Sequence, residues 1–324
     1  MSIPNLVTPA FRALSAQLGQ DPLQVQGPGG NTSIKLGDVM WIKASGTELA
    51  DAERADIFVA VDRRAAATEA REQAGDGSCK DTVLDRSHGL RPSIETTFHA
   101  ALDHAVVVHT HSVATLAHVT SAQGRAQAAA KLEGLPFVMV PYAKPGLPLT
   151  REILMRADAQ TQIILLQNHG LICAGPDVSA VTDLLAEVER RLHLAPTQAA
   201  AQSAQDDAAP EGFDWAPYGW LGHDPVAYER ARSGTYYPDH VVFLGPCLPV
   251  KDHSARPPAI LRKGEGVLLR TDASASQRAM LRCLSDVLAR VPHSWELEPI
   301  GAQAEAELLD WDAEKYRQAL AARS

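Results

Sequence analysis

Three histidines stand where the sequence predicts the ends of strands. His109 and His111 are two residues apart after a β-branched run, and His169 is followed by Gly170. Side chains at i and i+2 of a strand point to the same side, so both imidazoles of the pair could face one ion. Three neutral imidazoles leave a divalent ion its full charge and an open position, as in a catalytic metal site. The alternative is a coincidental pair among twelve histidines, with His169 a turn residue.

Two glycine-containing turns and one carboxylate lie upstream of these histidines. The loop of residues 27–33 could present backbone N–H groups to an anion, and residues 43–47 form a second such turn. In residues 91–95, Ser93 can cap a helix and Glu95 falls in its first turn, where a helix N-terminus also favours anions. On composition alone, the loop is a flexible connector and Glu95 an ordinary first-turn acid. The two turns and Glu95 can therefore belong to a functional site only if the fold brings them close to the three histidines.

The elements that would hold these residues alternate between strand and helix patterns. Residues 32–35 and 39–43 flank a Leu-Gly-Asp turn, which predicts a tight hairpin. The other predicted strands are residues 105–111, 162–167 and 171–173, and the predicted helices are residues 94–103 and 112–120. This mixture indicates a sheet covered by helices, with the chemistry where strands end in loops.

A compositional break divides the chain. Residues 178–194 carry apolar side chains at helical spacing, with Asp177 as the predicted N-cap. Residues 196–212 follow and are rich in Ala, Gln, Asp and Pro. We interpret them as a linker between a catalytic domain of residues 1–195 and a small C-terminal domain of residues 213–324.

The C-terminal part carries no recognisable chemistry. Its predicted strands are residues 241–244 and 266–270, and its predicted helices are residues 276–290 and 312–322. This pattern predicts a small α/β or α+β domain.

Five segments, taken in order, resemble the class II aldolase/adducin family, whose members include fuculose- and rhamnulose-phosphate aldolases. They are GPGGNTS, KASGT, RPSIE, HTHS and QNHGLI, spread over residues 27–174. RPSIET and the longer chain are especially similar to the aldolase domains of bifunctional aldolase/dehydrogenase proteins, although no G-x-G-x-x-G follows a strand. The resemblance implies an α/β fold, a three-layer αβα domain around a mostly antiparallel sheet.

The resemblance also implies roles for the polar residues near the histidines. His109, His111 and His169 match the family's three metal ligands, usually for zinc, with Mn²⁺ or Co²⁺ as alternatives. Glu95 matches the catalytic acid/base.

Five further residues match the part of the family's site that holds the substrate's phosphate or an equivalent anionic end. Gly30 and Asn31 match one loop, and Ser45 and Gly46 match the second. Ser93 matches the first of two adjacent serines that complete this grip in the fuculose enzyme.

The residue after Ser93 departs from the family pattern. Ile94 replaces the second serine and removes a hydroxyl donor. A carboxylate or smaller polar group therefore stands beside phosphate as the anion to be held, with Arg91 as an additional candidate contact.

The predicted reaction is a reversible aldol cleavage of a hydroxy-carbonyl compound, either a ketose phosphate or a sugar acid. A dication held by neutral ligands can stabilise the resulting enediolate as a Lewis acid, and Glu95 would shuttle the proton. Relatives use the same kind of site to decarboxylate keto acids or to epimerise sugar phosphates, so both reactions remain alternatives. A non-catalytic, adducin-like scaffold is another, although a scaffold needs neither the histidines nor Glu95. The resemblance implies a homo-oligomer, a tetramer or a dimer.

Bulk properties restrict the class of partner. The net charge of −9 and the absence of a basic stripe disfavour nucleic acid. The apolar runs are too short to span a bilayer, and the N-terminus lacks the basic and apolar regions of a signal peptide. The four scattered cysteines form no disulfide pattern. We expect a cytoplasmic enzyme that acts on a small molecule.

Overall fold

Strand and helix segments alternate along the chain, and the computed structural model describes residues 3–72, 77–87, 89–197, 208–312 and 314–316. The helices are α1 (Pro9–Gln20), α2 (Arg63–Arg71), α3 (Thr96–Ala101), α4 (Val113–Val119), α5 (Ala122–Lys131), α6 (Leu147–Leu154), α7 (Val178–Leu192), α8 (Trp220–His223), α9 (Pro225–Ser233), α10 (Pro238–Leu244), α11 (Ala275–Arg290) and α12 (Ala302–Leu309). The strands are β1 (Asn31–Leu36), β2 (Val39–Lys43), β3 (Phe58–Asp62), β4 (Val106–Thr110), β5 (Phe137–Val140), β6 (Ile163–Leu166), β7 (Gly170–Gly175), β8 (Phe213–Trp215), β9 (Ala259–Arg262) and β10 (Gly266–Arg270). Within the described residues, every helix is too short or too polar to cross a membrane.

The chain divides into two compact units. The first contains Met1–Ser112 and Leu132–Arg191, and the second contains Val113–Lys131 and Leu192–Ser324. Residues 198–207 of the predicted linker lie outside the described residues, so the linker and the domain boundaries stay predictions.

The first unit is built on a seven-stranded sheet with the order β3-β2-β1-β4-β7-β6-β5. Every neighbouring pair is antiparallel except β5 and β6, which are parallel. Leu36 pairs with Val39 across the two-residue turn between β1 and β2, as the hairpin pattern predicts. The mostly antiparallel central sheet is thereby confirmed.

Helices cover both faces of this sheet because alternate residues of each strand point to opposite sides. On one face, the hydroxyl of Ser15 in α1 lies 2.8 Å from that of Thr32 in β1. On the other face, α3 and α6 pack against β4, β6 and β7 through a buried apolar cluster of Phe98, Leu102, Val107, Val140, Leu149, Ile153, Ile164, Leu166, Ile172 and Ala174. This is the three-layer α/β fold expected from the sequence.

The second unit contains a three-stranded sheet with the order β8-β10-β9. The predicted strand at residues 266–270 is confirmed as β10, and the predicted helix at residues 276–290 as α11. Helix α11 begins with a capping box, in which the side chains of Ser274 and Gln277 each accept from the other residue's backbone N–H. The predicted helix at residues 312–322 lies mostly outside the described residues.

The predicted strand at residues 241–244 is wrong, because these residues end helix α10. Pro238 occupies the first helical position and Asp239 the first turn, which are both helix-start signals. The pair Val241-Val242 favours a strand by local propensity alone. Both valines are buried, and here the packing outweighs that local preference.

A buried lysine in the first unit predicts how stability should change with pH. Lys35 donates from Nζ to the carbonyl oxygens of His99 and Leu102 at the end of α3. Burial and the nearby positive charge of Arg63 lower the pKa of Lys35 from 10.5 to about 7. The negative charge of Asp103 acts in the opposite direction and is outweighed. Between these values the unfolded chain binds more protons than the folded one, so the free energy of unfolding rises with pH.

We expect the wild-type protein to gain stability relative to Lys35→Met between pH 7 and pH 9, by up to about 1.4 kcal/mol per pH unit. Guanidinium unfolding at both pH values would measure this difference. Lys80→Met, at an exposed lysine, is the control and should change in parallel with the wild type. If the free energy of unfolding of Lys35→Met changed with pH in parallel with that of the wild type, the lowered pKa of Lys35 would be contradicted.

Candidate metal centre

The central strands bring the three predicted histidines to one edge of the sheet. In β4, His109 pairs with Asn31 of β1 on one side and with Ile172 of β7 on the other. His111 follows the end of β4, and His169 lies in the turn that joins β6 to β7. All three side chains are buried, and one nitrogen from each lies within 4.8 Å of the other two.

The turn that carries His169 approaches β4 so closely that it requires a glycine. A Cβ atom on Gly170 would lie 2.3 Å from the carbonyl oxygen of Thr110 and 3.3 Å from Cε1 of His109. Any larger residue would push the turn away from the strand that holds the other two histidines. The Gly170 that follows His169 in the sequence is thus part of the site's construction.

Gly170→Ala should destabilise the protein by about 1–3 kcal/mol through overpacking, and it should also weaken zinc binding by displacing His169. Denaturant unfolding and zinc titration would measure the two effects. Gly134→Ala is the matched control, since Gly134 has φ +85° but nothing within 4 Å of its added Cβ. Gly134→Ala should show backbone strain but bind zinc with the affinity of the wild type. If Gly170→Ala bound zinc as tightly as Gly134→Ala, the prediction would be contradicted.

A hydrogen bond to the backbone sets the orientation of the His109 ring. Its Nδ1 lies 3.0 Å from the carbonyl oxygen of Leu171. A carbonyl only accepts, so Nδ1 carries the hydrogen and the lone pair belongs to Nε2. Such a bond on the far nitrogen is the usual support for a histidine that ligates a metal.

The donor set fits a divalent ion. The ring centroids lie 5.0 Å apart for His109 and His111, 5.0 Å for His109 and His169, and 5.4 Å for His111 and His169. Neutral imidazoles suit zinc and neighbouring transition metals, and three of them leave room for further ligands. The cluster could therefore hold an ion with an open position.

Glu95 lies against this cluster and is almost fully buried. Its Oε2 is 3.5 Å from Nε2 of His109, and its Oε1 is 3.5 Å from Nε2 of His169. Nδ2 of Asn31 donates to Oε2 at 2.8 Å. Burial raises the pKa of Glu95, but the positive charges that His109 and His169 carry when they are protonated, together with the bond from Asn31, outweigh it and lower this pKa from 4.5 to about 2. The carboxyl group of Glu95 lies beside the nitrogens that could bind a metal.

The helix after Glu95 begins later than the sequence predicts. Helix α3 starts at Thr96, so Glu95 is its N-cap residue rather than a first-turn residue, and its side chain makes no cap hydrogen bond. Ser93 does not cap the helix either, because its hydroxyl accepts from the backbone N–H of Glu95 at 3.2 Å. The carboxylate of Glu95 is consequently directed to the histidines instead of the helix end.

The two predicted anion-binding loops lie next to each other and next to Ser93. Nζ of Lys43 donates to the carbonyl oxygens of Pro28 at 2.8 Å and Thr47 at 2.7 Å, which ties the two loops together. The backbone N–H of Ser45 donates to the carbonyl oxygen of Arg91 at 2.8 Å. Lys43 was not among the predicted site residues, although a lysine between two glycine-containing loops is a usable signal.

The residues predicted to bind an anion differ in the contacts that they make within the protein. Gly30 has φ +58°, and a Cβ there would lie 2.9 Å from the carbonyl oxygen of His109. Ser93 accepts from Nδ2 of Asn31 at 3.2 Å as well as from Glu95, so within the described part of the chain its own hydroxyl hydrogen remains for another acceptor. The amide of Asn31 is engaged by Ser93 and Glu95. Anion binding by Gly30, Asn31, Ser45, Gly46 and Ser93 stays a prediction.

A family model and one curated protein match this chain. A family model described as Class II Aldolase and Adducin N-terminal domain matches residues 12–195. The protein named Uncharacterized oxidoreductase YuxG from Bacillus subtilis (strain 168) is 31% identical over 173 residues, which are 49% of this chain and 25% of that protein. The chain thus spans about a quarter of the length of that relative.

Solved structures are similar to this chain, and the first of them shows the same fold. The N-terminal class II aldolase domain of a conserved protein from Thermoplasma acidophilum aligns with a TM-score of 0.51 at 25% identity, over 59% of this chain and 95% of that chain. An aldolase II superfamily protein from Pseudomonas syringae aligns with a TM-score of 0.41 at 20% identity, over 58% and 75% of the two chains.

Proposed function

Because the chain belongs to the class II aldolase and adducin family, we propose that it is a metal-dependent aldolase that cleaves a hydroxy-carbonyl compound reversibly. The observation that carries this proposal is the placement of the Glu95 carboxylate 3.5 Å from two members of a buried three-histidine cluster. A scaffold without catalysis has no need for a buried carboxylate at such a cluster, since burying a charge is costly unless it is stabilised.

The proposed metal ligands are His109, His111 and His169, with Zn²⁺ as the proposed ion and Mn²⁺ or Co²⁺ as alternatives. A bound dication supplies Lewis acidity toward the oxygen atoms of a carbonyl compound. Glu95 lies against the cluster, accepts the proton whose removal accompanies carbon–carbon cleavage and returns it in the reverse reaction. The burial of the cluster keeps bulk water from competing for that proton.

We assign the substrate's anionic end to the two adjoining loops. The candidates are Gly30, Asn31, Ser45, Gly46 and Ser93, and the support is that Ser93 keeps a hydroxyl hydrogen for an acceptor. Lys43 lies between these loops and donates a hydrogen bond to a carbonyl oxygen of each. Either a sugar acid or a ketose phosphate provides a matching negative group.

The test is a substrate screen on the zinc-loaded full chain. Pairs of compounds that differ only in a terminal carboxylate or phosphate would be incubated with the protein, and the products identified by mass spectrometry. Two carbonyl fragments support the aldolase. Release of CO₂ would indicate a decarboxylase, and an isomer of unchanged mass an epimerase. A protein that takes up no metal and converts no compound would be a binding scaffold, and the proposal would be withdrawn.

Assembly and location stay predictions. A homo-oligomer, either a tetramer or a dimer, and a cytoplasmic site of action are expected from the family resemblance and the sequence. Sedimentation of the purified protein would measure the first.

A further inference from the structure

A buried chain of polar side chains leads away from Glu95 into the layer between the sheet and α3. Asn31 Nδ2 donates to Glu95 Oε2 at 2.8 Å, and Asn31 Oδ1 is hydrogen-bonded to His99 Nε2. His99 Nδ1 lies 2.7 Å from the hydroxyl oxygen of Ser33. All four side chains are buried, and His99 and Ser33 are fully so. The chain connects the site's carboxylate to a histidine that is no member of the three-histidine cluster.

One arrangement of the hydrogens satisfies every contact in this chain. The amide nitrogen of Asn31 donates to Oε2 of Glu95, so its amide oxygen faces His99. An amide oxygen only accepts, so His99 must donate from Nε2. A neutral imidazole with its hydrogen on Nε2 accepts at Nδ1, and the Ser33 hydroxyl donates there.

Two features keep His99 in this neutral form. Burial is the largest effect that lowers the pKa of His99 well below 6.5, and the nearby positive charge of Lys35 lowers it further. The negative charge of Glu95 raises this pKa but is outweighed. Lys35 also donates to the carbonyl oxygen of His99 and holds the end of α3 against β1. The imidazole thus has a fixed ring position and a fixed hydrogen.

The consequence reaches Glu95 through Asn31. One amide hydrogen of Asn31 bonds to Ser93 at 3.2 Å and the other to Oε2 of Glu95, so the amide cannot rotate without losing both bonds and the one to His99. Oε2 is held, whereas Oε1 accepts no hydrogen bond from the described residues. The orientation of the carboxylate is set by the hydrogen bonds of Asn31 to Glu95, Ser93 and His99.

We infer that His99 and Asn31 are positioning residues, which fix the orientation of the Glu95 carboxylate through the bonds His99 Nε2–H to Asn31 Oδ1 and Asn31 Nδ2–H to Glu95 Oε2. The consequence for turnover rests on the proposed function, but the bonding pattern does not. If His99 served only the fold, turnover would be unaffected by any replacement that fills the same volume.

The first experiment needs no substrate. Long-range ¹H–¹⁵N spectra of the full chain would give the tautomer of His99, assigned by its disappearance in His99→Gln. We expect the neutral form with its hydrogen on Nε2 between pH 6 and pH 8. The side-chain amide signals of Asn31 should move in His99→Phe and in Glu95→Gln and stay in place in Thr32→Val. A His99 ring with its hydrogen on Nδ1, or an Asn31 signal indifferent to His99→Phe, would overturn the inference.

The second experiment uses turnover and separates positioning from folding. Gln carries an amide N–H that can replace the Nε2–H of histidine, whereas Phe fills the volume without a donor. We expect His99→Phe to lower kcat on the order of 100-fold with KM nearly unchanged, and His99→Gln to recover most of this loss. Asn31→Asp, which replaces the donor by an acceptor facing Glu95, should resemble His99→Phe.

The control for both experiments is Thr32→Val. Thr32 is the neighbour of Asn31 in β1, is equally buried, and points to the opposite face, where it bonds to Ser15. Its kcat should equal that of the wild type. Equal losses in His99→Gln and His99→Phe would refute positioning by hydrogen bonding. If no substrate is converted by the wild type, the proposed function fails while the spectra still decide the bonding pattern.

Discussion

His111→Ala is expected to remove the metal from the protein. The purified wild type should contain about one equivalent of a divalent ion after dialysis, and the variant should bind zinc more than about 100-fold more weakly. The reason is that the cluster supplies three nitrogens, and two imidazoles at a buried site hold an exchangeable ion poorly. His111 is the best position for this test because it follows the end of β4, so its truncation leaves the strand's pairing with β1 and β7 intact.

Elemental analysis and zinc titration would measure the effect. His118→Gln is the matched control, because both nitrogens of His118 are already hydrogen-bonded, Nδ1 to the carbonyl oxygen of Ala114 at 2.8 Å and Nε2 to Gln127 at 3.1 Å. That variant should keep the full metal content. A His111→Ala protein that retains its metal, or a wild type that takes up none from added zinc, would refute the proposed centre and with it the proposed mechanism.

The meeting of the three histidines could be predicted from local pattern. The spacing of His109 and His111 is that of one strand face, and a strand's alternation is a short-range property of the backbone. His169 required one further step, namely that a strand–turn–strand segment containing Gly170 lies beside the first strand. The structure supplies that step through the pairing of β4 with β7, and the close approach of Gly170 to Thr110 shows why a glycine is needed there.

The partners of Asn31 and His99 could not be predicted in the same way. The sequence places His99 four residues after Glu95 on one helix, which is compatible with both an orienting and a purely structural role. The bond from His99 to Asn31 joins residues 68 positions apart. It depends on how α3 lies over β1, which is a matter of packing between elements rather than of spacing within one. The hydrogen bond from the Asn31 amide to Glu95 depends on the same packing, and anion binding by Asn31 stays a prediction.

The prediction of a strand at residues 241–244 failed for a different reason, because a clear local pattern was misleading. Two adjacent valines favour a strand, whereas Pro238 and Asp239, which precede them, are helix-start signals. The buried environment of all seven residues of α10 decides the conformation. Local propensity amounts to a few tenths of a kcal/mol per residue, and burial of one apolar side chain contributes about 1.5–3 kcal/mol, so packing prevails.

Glu95→Gln is expected to abolish turnover and leave both the fold and the metal in place. Gln has nearly the same shape, and its amide oxygen can still accept the hydrogen bond from Asn31, so the buried network survives. What is lost is a group that can take up and return a proton. A positioned acid/base contributes about 100-fold to 10,000-fold to a rate, so kcat should fall by that factor while metal content stays near one equivalent.

The comparison with His111→Ala separates the two parts of the proposed mechanism. If the histidines hold the ion and Glu95 moves the proton, His111→Ala loses metal and turnover together, whereas Glu95→Gln loses turnover alone. Restoring zinc in excess should therefore rescue part of the activity of the first variant and none of the second. Equal loss of metal in both variants would mean that Glu95 itself holds the ion, as its 3.5 Å separation from two of the histidine nitrogens allows. In that case the group that transfers the proton would have to be sought among other residues, and the assignment of Glu95 as acid/base would be rejected.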